Sequence, residues 1–145
     1  MAAMELKGSK SYKNYVLLAS GFFMLVCVLS GLSLHTFIPT LIVMPLVVFI
    51  ISLQKFTTRI TVDDSFIEIE YWQLFQQKRR SIPLPGSSAA MRSRATKGGS
   101  YWELKITSDV EPNYAVDARN GFTKDGLQAM CDYINKATVS QALPR

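Results

Sequence analysis

The sequence predicts a two-part protein, a membrane α-helical hairpin followed by an α+β domain with an antiparallel sheet and one C-terminal helix. Between Lys13 and Lys55 there is no Lys, Arg, Asp or Glu, although the chain carries 16 basic and 11 acidic residues. After Lys55 the pattern changes to alternating apolar and polar positions, which indicates half-buried strands. Near the C-terminus apolar residues recur at helical spacing. The part after the apolar block is long enough for one small domain.

The apolar block divides into two predicted membrane spans, residues 15–34 and 37–53. The first supplies twenty residues without a charge, the length that a hydrocarbon core of about 30 Å requires. A cleavable signal peptide is the alternative, but this apolar region is too long for one. Basic residues flank the block on both sides and are missing from its turn, so we expect a multi-pass membrane protein with both termini in the cytoplasm.

These observations predict four segments along the chain. We expect a basic cytoplasmic N-terminus over residues 1–14, the transmembrane hairpin over 15–53, a cytoplasmic β-rich domain over 54–137 and a flexible tail over 138–145. The lipid bilayer is therefore an expected partner.

A stripe of small residues on the first span is typical of helices that approach each other closely in lipid. Ser20, Cys27 and Gly31 form this stripe. The stripe either contacts the second helix of the same hairpin or joins hairpins of several copies, and the latter predicts a homo-oligomer.

The β-rich domain is predicted to hold about five recognisable strands. The expected strands are residues 56–62, 66–75, 77–82, 101–107 and 113–118. The polar segment 87–100, which ends in two glycines, is predicted to be a long mobile loop. Thr123 is the expected N-cap of the closing helix, whose apolar face carries Leu127, Met130, Cys131 and Ile134.

The order of elements resembles small bacterial membrane proteins in which a transmembrane hairpin precedes a pleckstrin-homology-like domain. Three strand segments carry the resemblance: residues 58–62, 67–71 and 81–84, before the closing helix. The resemblance implies an open sheet or partial barrel of five to seven strands, seven being usual for such domains. The chain is also similar to two-transmembrane β-rich effectors of antiphage systems. Their cytoplasmic domains respond to cyclic nucleotides, and their membrane parts assemble to damage the inner membrane.

A cluster of basic residues without an intervening acid is the candidate ligand site. Its cations are Lys78, Arg79, Arg80, Arg92, Arg94 and Lys97. Arginine can grip phosphate through two hydrogen bonds, and Trp72 or Tyr101 could stack on a base. Three interpretations stay open: a basic surface drawn to anionic lipid, a specific site for a nucleotide or similar phosphate, and contact with an acidic protein partner.

Catalysis is difficult to build from these residues. The chain has one histidine, His35, in the turn of the predicted hairpin, and Cys131 is expected in the core. Asp63 and Asp64 read as ordinary turn residues. We therefore expect no catalytic residue, no metal site and no cofactor, and neither DNA nor RNA as a partner.

The leading hypothesis is a non-enzymatic inner-membrane effector or sensor. Its β domain would bind an anionic ligand, such as a cyclic nucleotide, and thereby control the association of transmembrane hairpins, with membrane disruption in antiphage defence as one outcome. The alternative is a pleckstrin-homology-like structural subunit that binds anionic lipid or a membrane-protein partner.

Overall fold

A computed structural model describes residues 3–29 and 34–142, in which the chain forms seven strands and three α-helices. Side chains at 23, 26, 27, 29, 34–41 and 44 lie outside the description. The helices are α1 (Tyr12–Leu29), α2 (Leu34–Leu53) and α3 (Lys124–Ala142). The strands are β1 (Met4–Lys7), β2 (Phe56–Val62), β3 (Phe66–Gln73), β4 (Gln76–Pro83), β5 (Ser87–Thr96), β6 (Gly99–Ser108) and β7 (Tyr114–Asp117).

The first sheet contains four antiparallel strands in the order β1-β2-β3-β4. Strand β2 has the predicted bounds, and β3 and β4 lie close to theirs. Strand β1 was not predicted. It pairs with β2 from Met4 opposite Val62 to Lys7 opposite Arg59, so the helices α1 and α2 are inserted between two neighbouring strands of one sheet. Both ends of this helical pair are therefore fixed to the sheet.

The second sheet has the order β5-β6-β7 and corrects the predicted loop over residues 87–100. Strands β5 and β6 pair continuously from Ser87 opposite Ser108 to Thr96 opposite Gly99. Only Lys97 and Gly98 remain between them, so this segment is a tight hairpin. The prediction of a mobile loop was wrong because small and polar residues can form a strand when a partner strand satisfies their backbone.

The core lies between the two sheets and α3. Every strand from β2 to β7 contributes to it, and α3 adds one face, whose Leu127, Met130 and Ile134 have no exposed surface. The Thr123 hydroxyl accepts a hydrogen bond from the Gly126 N–H at 3.1 Å, which confirms Thr123 as the N-cap. The helix continues to Ala142, past the start of the predicted tail at 138.

The structure contradicts the predicted transmembrane hairpin. Helix α1 is described from Tyr12 to Leu29, and its first turn contains Lys13 and Asn14, whereas the predicted span covered residues 15–34. Among the residues that the structure describes, no helix is both long enough and apolar enough to cross a membrane. The predicted membrane hairpin and the multi-pass inner-membrane localisation are therefore corrected, and the fold is an α+β fold with two antiparallel sheets.

The proposed assembly stripe is only partly described. The Ser20 hydroxyl donates to the carbonyl oxygen of Val16 at 2.7 Å, within its own helix. The side chain of Cys27 and the whole of Gly31 lie outside the described residues. The described part of the helical pair nevertheless exposes large apolar side chains, among them Leu18 and Phe22, which are 74% and 70% exposed.

Candidate functional site

The six predicted ligand-binding cations do not lie in one strand and its loop. Lys78, Arg79 and Arg80 lie on β4, at the edge of the first sheet. Arg92 and Arg94 lie on β5, at the edge of the second sheet, and Lys97 follows in its turn. The tertiary structure thus divides the basic cluster between two sheets that share no strand pairing.

Arg80 is half-buried and is held from several sides. It contacts Glu111 at 3.0 Å, donates to the carbonyl oxygen of Pro112 at 2.8 Å, and lies 5.8 Å from the ring centre of Tyr114. These contacts attach β4 to the segment before β7. The side chain is 18% exposed, so Arg80 has a structural task in addition to any ligand contact.

Two more of the predicted cations form ion pairs within the chain. Arg79 pairs with Glu68 on the neighbouring strand, and Arg94 pairs with the buried Glu103 at 2.9 Å. Within the described part of the chain, Lys78, Arg92 and Lys97 have no carboxylate oxygen within 4.0 Å. Three cations on two sheets therefore keep free charge.

Each predicted stacking residue has one ring face covered by another side chain. Trp72 stacks on Tyr12, with ring centres 5.4 Å apart and an angle of 11° between the planes. The Arg119 guanidinium lies 4.0 Å from the ring centre of Tyr101. Sequence reasoning missed both partners, because Tyr12 and Arg119 are distant along the chain.

A cavity of about 500 Å³ lies where the helical pair meets the sheets, and we call it the junction cleft. Three segments form it: the approach to α1, the link from α2 to β2, and the turn after β7. Its lining residues are Lys10, Tyr12, Tyr15, Ile51, Gln54, Lys55, Phe56, Asp117, Arg119 and Asn120.

The junction cleft carries three cations against one acid. Asp117 holds Arg119 through an ion pair of 2.5 Å, and its other oxygen accepts from the Arg119 backbone N–H at 2.8 Å. The hydrogen bond with Asp117 raises the pKa of Arg119 above its usual value. Lys10 and Lys55 add two positive charges from the other walls. The residues that line the cleft therefore carry a net positive charge, which favours an anion.

Aromatic rings position Lys55. Its ammonium nitrogen lies 5.7 Å from the ring centre of Tyr71 and 5.6 Å from that of Tyr114. The Tyr114 hydroxyl lies 3.1 Å from the Thr57 hydroxyl, and both side chains are buried. Burial raises the pKa of Tyr114 to about 12, so this phenol stays neutral at physiological pH.

The segment before α1 is attached to the sheets along its length. Gly8 donates its N–H to the Thr58 carbonyl oxygen at 2.8 Å, and Ser9 donates its N–H to the Gly121 carbonyl oxygen at 3.0 Å. Gly121 has φ 97°, and an added Cβ there would lie 2.5 Å from the Lys10 nitrogen. Only glycine therefore permits this close approach, which sets the position of Lys10 at the cleft.

The sequence did not identify the cleft residues as a ligand site. Lys10 and Lys55 belong to the basic residues that flank the predicted membrane block, and Arg119 is not among the predicted ligand-binding residues. The alternation in Met4–Lys7 was the one local signal of β1, and this strand brings Lys10 to the sheets. No local pattern could have shown that Arg119 faces the same cavity.

Comparisons with protein-family models, with curated proteins and with solved structures find no match to this chain. The resemblance to pleckstrin-homology-like proteins and to antiphage effectors therefore stays a prediction. Among the described residues no group of three or more His, Cys, Asp or Glu side chains is placed to hold a metal ion.

Proposed function

We propose that this protein is a non-enzymatic effector or sensor. Its junction cleft would bind an anionic ligand of the nucleotide class. The ligand then changes how the helical pairs of different copies associate. The observation that carries the proposal is the charge of the cleft, where Lys10, Lys55 and Arg119 line a cavity of about 500 Å³ beside a single acid. Ligand pockets in proteins fall in the range of ~300–1,000 Å³.

The chemistry of the cleft suits a phosphate joined to a flat ring. Arg119 is oriented by Asp117 and can donate to phosphate oxygens, and the two lysines neutralise the remaining charge. Tyr15 lines the same cavity and is 39% exposed, so its ring is open to a base. Base stacking on an aromatic side chain contributes ~1–3 kcal/mol.

The position of the cations supports coupling to the helices. Lys10 lies two residues before the start of α1, and Lys55 lies two residues after the end of α2. Arg119 belongs to the short 3₁₀ helix that follows β7. A ligand that contacts all three ties both helix ends to the sheets, so it stabilises one arrangement of the helical pair over others.

The exposed apolar side chains of the helical pair support association as the response. Contiguous apolar surface on a protein marks a site of interaction. Residues on α1 and α2 such as Leu17, Phe22 and Ile42 are 68%, 70% and 68% exposed. A second copy of the chain is the occupant that the proposal assigns to this surface.

Isothermal titration of the full chain with a panel of cyclic nucleotides and inorganic pyrophosphate tests the site. We expect micromolar binding of at least one compound and at least a tenfold loss of affinity in Lys10→Ala and in Arg119→Gln. Lys78→Ala and Arg92→Ala are matched controls, because these cations belong to the predicted basic cluster and lie outside the cleft. Loss of binding in the controls and not in the cleft variants would overturn the cleft as the site.

Sedimentation velocity of the same samples tests the response. We expect the average mass of the particles to change on addition of the bound compound, and the change to be absent in Lys10→Ala. An unchanged mass distribution in the presence of saturating ligand would refute the coupling while leaving the binding site intact.

A second candidate is a structural subunit that docks on a protein partner without a small ligand. The same exposed apolar helical surface favours it. It predicts that no compound of the panel binds and that substitutions in the cleft leave self-association unchanged.

A further inference from the structure

The outer edge of β5 is partly covered, and the covered part shows which backbone groups face outward. Asn135 of α3 accepts from the Ala89 N–H at 2.9 Å and donates to the Ala89 carbonyl oxygen at 2.9 Å. The side-chain amide of Asn135 therefore makes the two hydrogen bonds that a neighbouring strand would make with Ala89. The backbone of Met91 similarly hydrogen-bonds the Cys131 thiol.

Beyond Met91 this protection ends. In an antiparallel strand alternate residues turn their N–H and C=O groups away from the partner, so Ser93 and Ala95 belong to the same outward set as Ala89. Both residues are exposed. Among the residues that the structure describes, none hydrogen-bonds the outward backbone of Ser93 or Ala95. The distal half of β5 is thus an open strand edge, which is a template for a further strand.

The side chains of this open edge are basic. Arg92 and Arg94 share one face of the strand, and Lys97 follows at the turn. Arg94 pairs with Glu103, whereas Arg92 lies opposite Glu103 in the register without a contact within 4.0 Å. Arg92 and Lys97 therefore keep positive charge available to a partner. The small side chains of Ser93 and Ala95 project from the opposite face of the strand.

The positive charge of this edge also disfavours the simplest occupant, which is the β5 strand of a second copy. Antiparallel pairing of two β5 edges would place the arginines of both copies side by side on one face, and like charges in neighbouring strands destabilise a sheet. A segment with acidic residues at alternate positions would instead place its carboxylates beside Arg92 and Arg94.

We infer that the distal edge of β5, residues 92–96, docks an extended acidic peptide segment as an added strand. Backbone hydrogen bonds to Ser93 and Ala95 supply the pairing, and Arg92 with Lys97 selects the acidic side chains. The site is separate from the junction cleft and does not depend on its ligand.

Fluorescence anisotropy of the full chain with a labelled peptide of alternating Glu and Val tests the inference. We expect binding to weaken at least tenfold in Arg92→Glu and in Ser93→Pro. Proline fits an edge strand whose N–H faces solvent, so the second variant removes the donor and keeps the charges. Lys78→Glu is the matched control, an unpaired cation on the edge of the other sheet, and should change binding less than twofold.

A peptide with N-methyl groups at alternate residues tests strand addition on the unchanged protein. It keeps every carboxylate and loses the backbone donors that pair with β5, so we expect at least a tenfold weaker complex. Equal binding of the methylated peptide, or equal weakening by Lys78→Glu and Arg92→Glu, would overturn the inference in favour of general charge attraction. Failure of the acidic peptide to bind at millimolar concentration would overturn it entirely.

Discussion

Two buried tyrosines, Tyr114 in the β core and Tyr12 at the junction with the helices, differ in the hydrogen bonding of their hydroxyl groups. Tyr114 in the core is 3% exposed and shares a hydrogen bond with Thr57. Tyr12 at the junction is 5% exposed, and its buried hydroxyl has no hydrogen-bond partner among the residues that the structure describes. An unsatisfied buried polar group costs ~1–3 kcal/mol, so the junction holds a local cost that the core does not.

A strained turn beside Tyr12 adds a second unfavourable contribution to the free energy at the junction. The hairpin between β3 and β4 turns through Leu74 and Phe75, whose φ angles are 52° and 61°. Such a turn favours Asn-Gly, because positive φ is strained for bulky residues. The turn persists because Leu74 donates its N–H to the Ser52 carbonyl oxygen at 2.7 Å at the end of α2. Backbone strain and unsatisfied polar groups cluster at sites where ligands bind or elements move, as proposed for the cleft.

The largest expected difference between the regions is the response of the core to alkaline pH. The pKa of Tyr114 is about 12 in the folded state and ~10 in the unfolded chain, so the folded state keeps its proton over this interval. Stability from this group is complete below pH ~10 and is lost as the pH rises toward 12. We expect the free energy of unfolding to fall by about 2–3 kcal/mol.

Urea unfolding at pH 9, 10, 11 and 12 measures this loss. The variant Tyr114→Phe should lack this part of the pH dependence. An identical pH profile for the two proteins would assign the effect to other groups.

Removing each hydroxyl separately compares the two tyrosines directly. Tyr114→Phe leaves the buried Thr57 hydroxyl unpaired, and we expect a loss of ~1–3 kcal/mol in the free energy of unfolding. Tyr12→Phe removes a hydroxyl without a partner, so stability should stay equal or rise by up to ~1 kcal/mol. Urea unfolding midpoints at pH 7 measure both changes in stability. A loss of stability in Tyr12→Phe equal to that in Tyr114→Phe would refute the difference between the regions.

Relief of the strained turn gives the smallest effect. We expect the double variant Leu74→Asn with Phe75→Gly to gain about 1 kcal/mol, because positive φ then costs little and the gain exceeds the added freedom of the unfolded chain. Val110→Asn is the control for loss of an exposed apolar side chain, since Val110 is 76% exposed and its φ is not positive. A loss of stability in the double variant would show that contacts of Phe75 outweigh the strain.

The sequence by itself determined the elements whose patterns are strong and local. Strands β2 and β3 were predictable from alternation over β-branched and aromatic residues, and α3 from its N-cap and apolar face. The basic residues of β4 and β5 were also visible. Their pairing was not, because an ion pair such as Arg80 with Glu111 depends on how distant segments meet.

Only the tertiary structure decided the remaining features. Strand β1 has four residues and forms because β2, across the whole helical pair, supplies its hydrogen-bond partners. Strand β5 is rich in small and polar residues, and β6 together with Asn135 holds it extended. The apolar block between Lys13 and Lys55 suggested two membrane spans, whereas none of the helices in the described part of the chain is long and apolar enough for a span. The junction cleft exists because residues from three separate segments, Lys10, Lys55 and Arg119, converge, and long-range convergence leaves no periodic mark in a sequence.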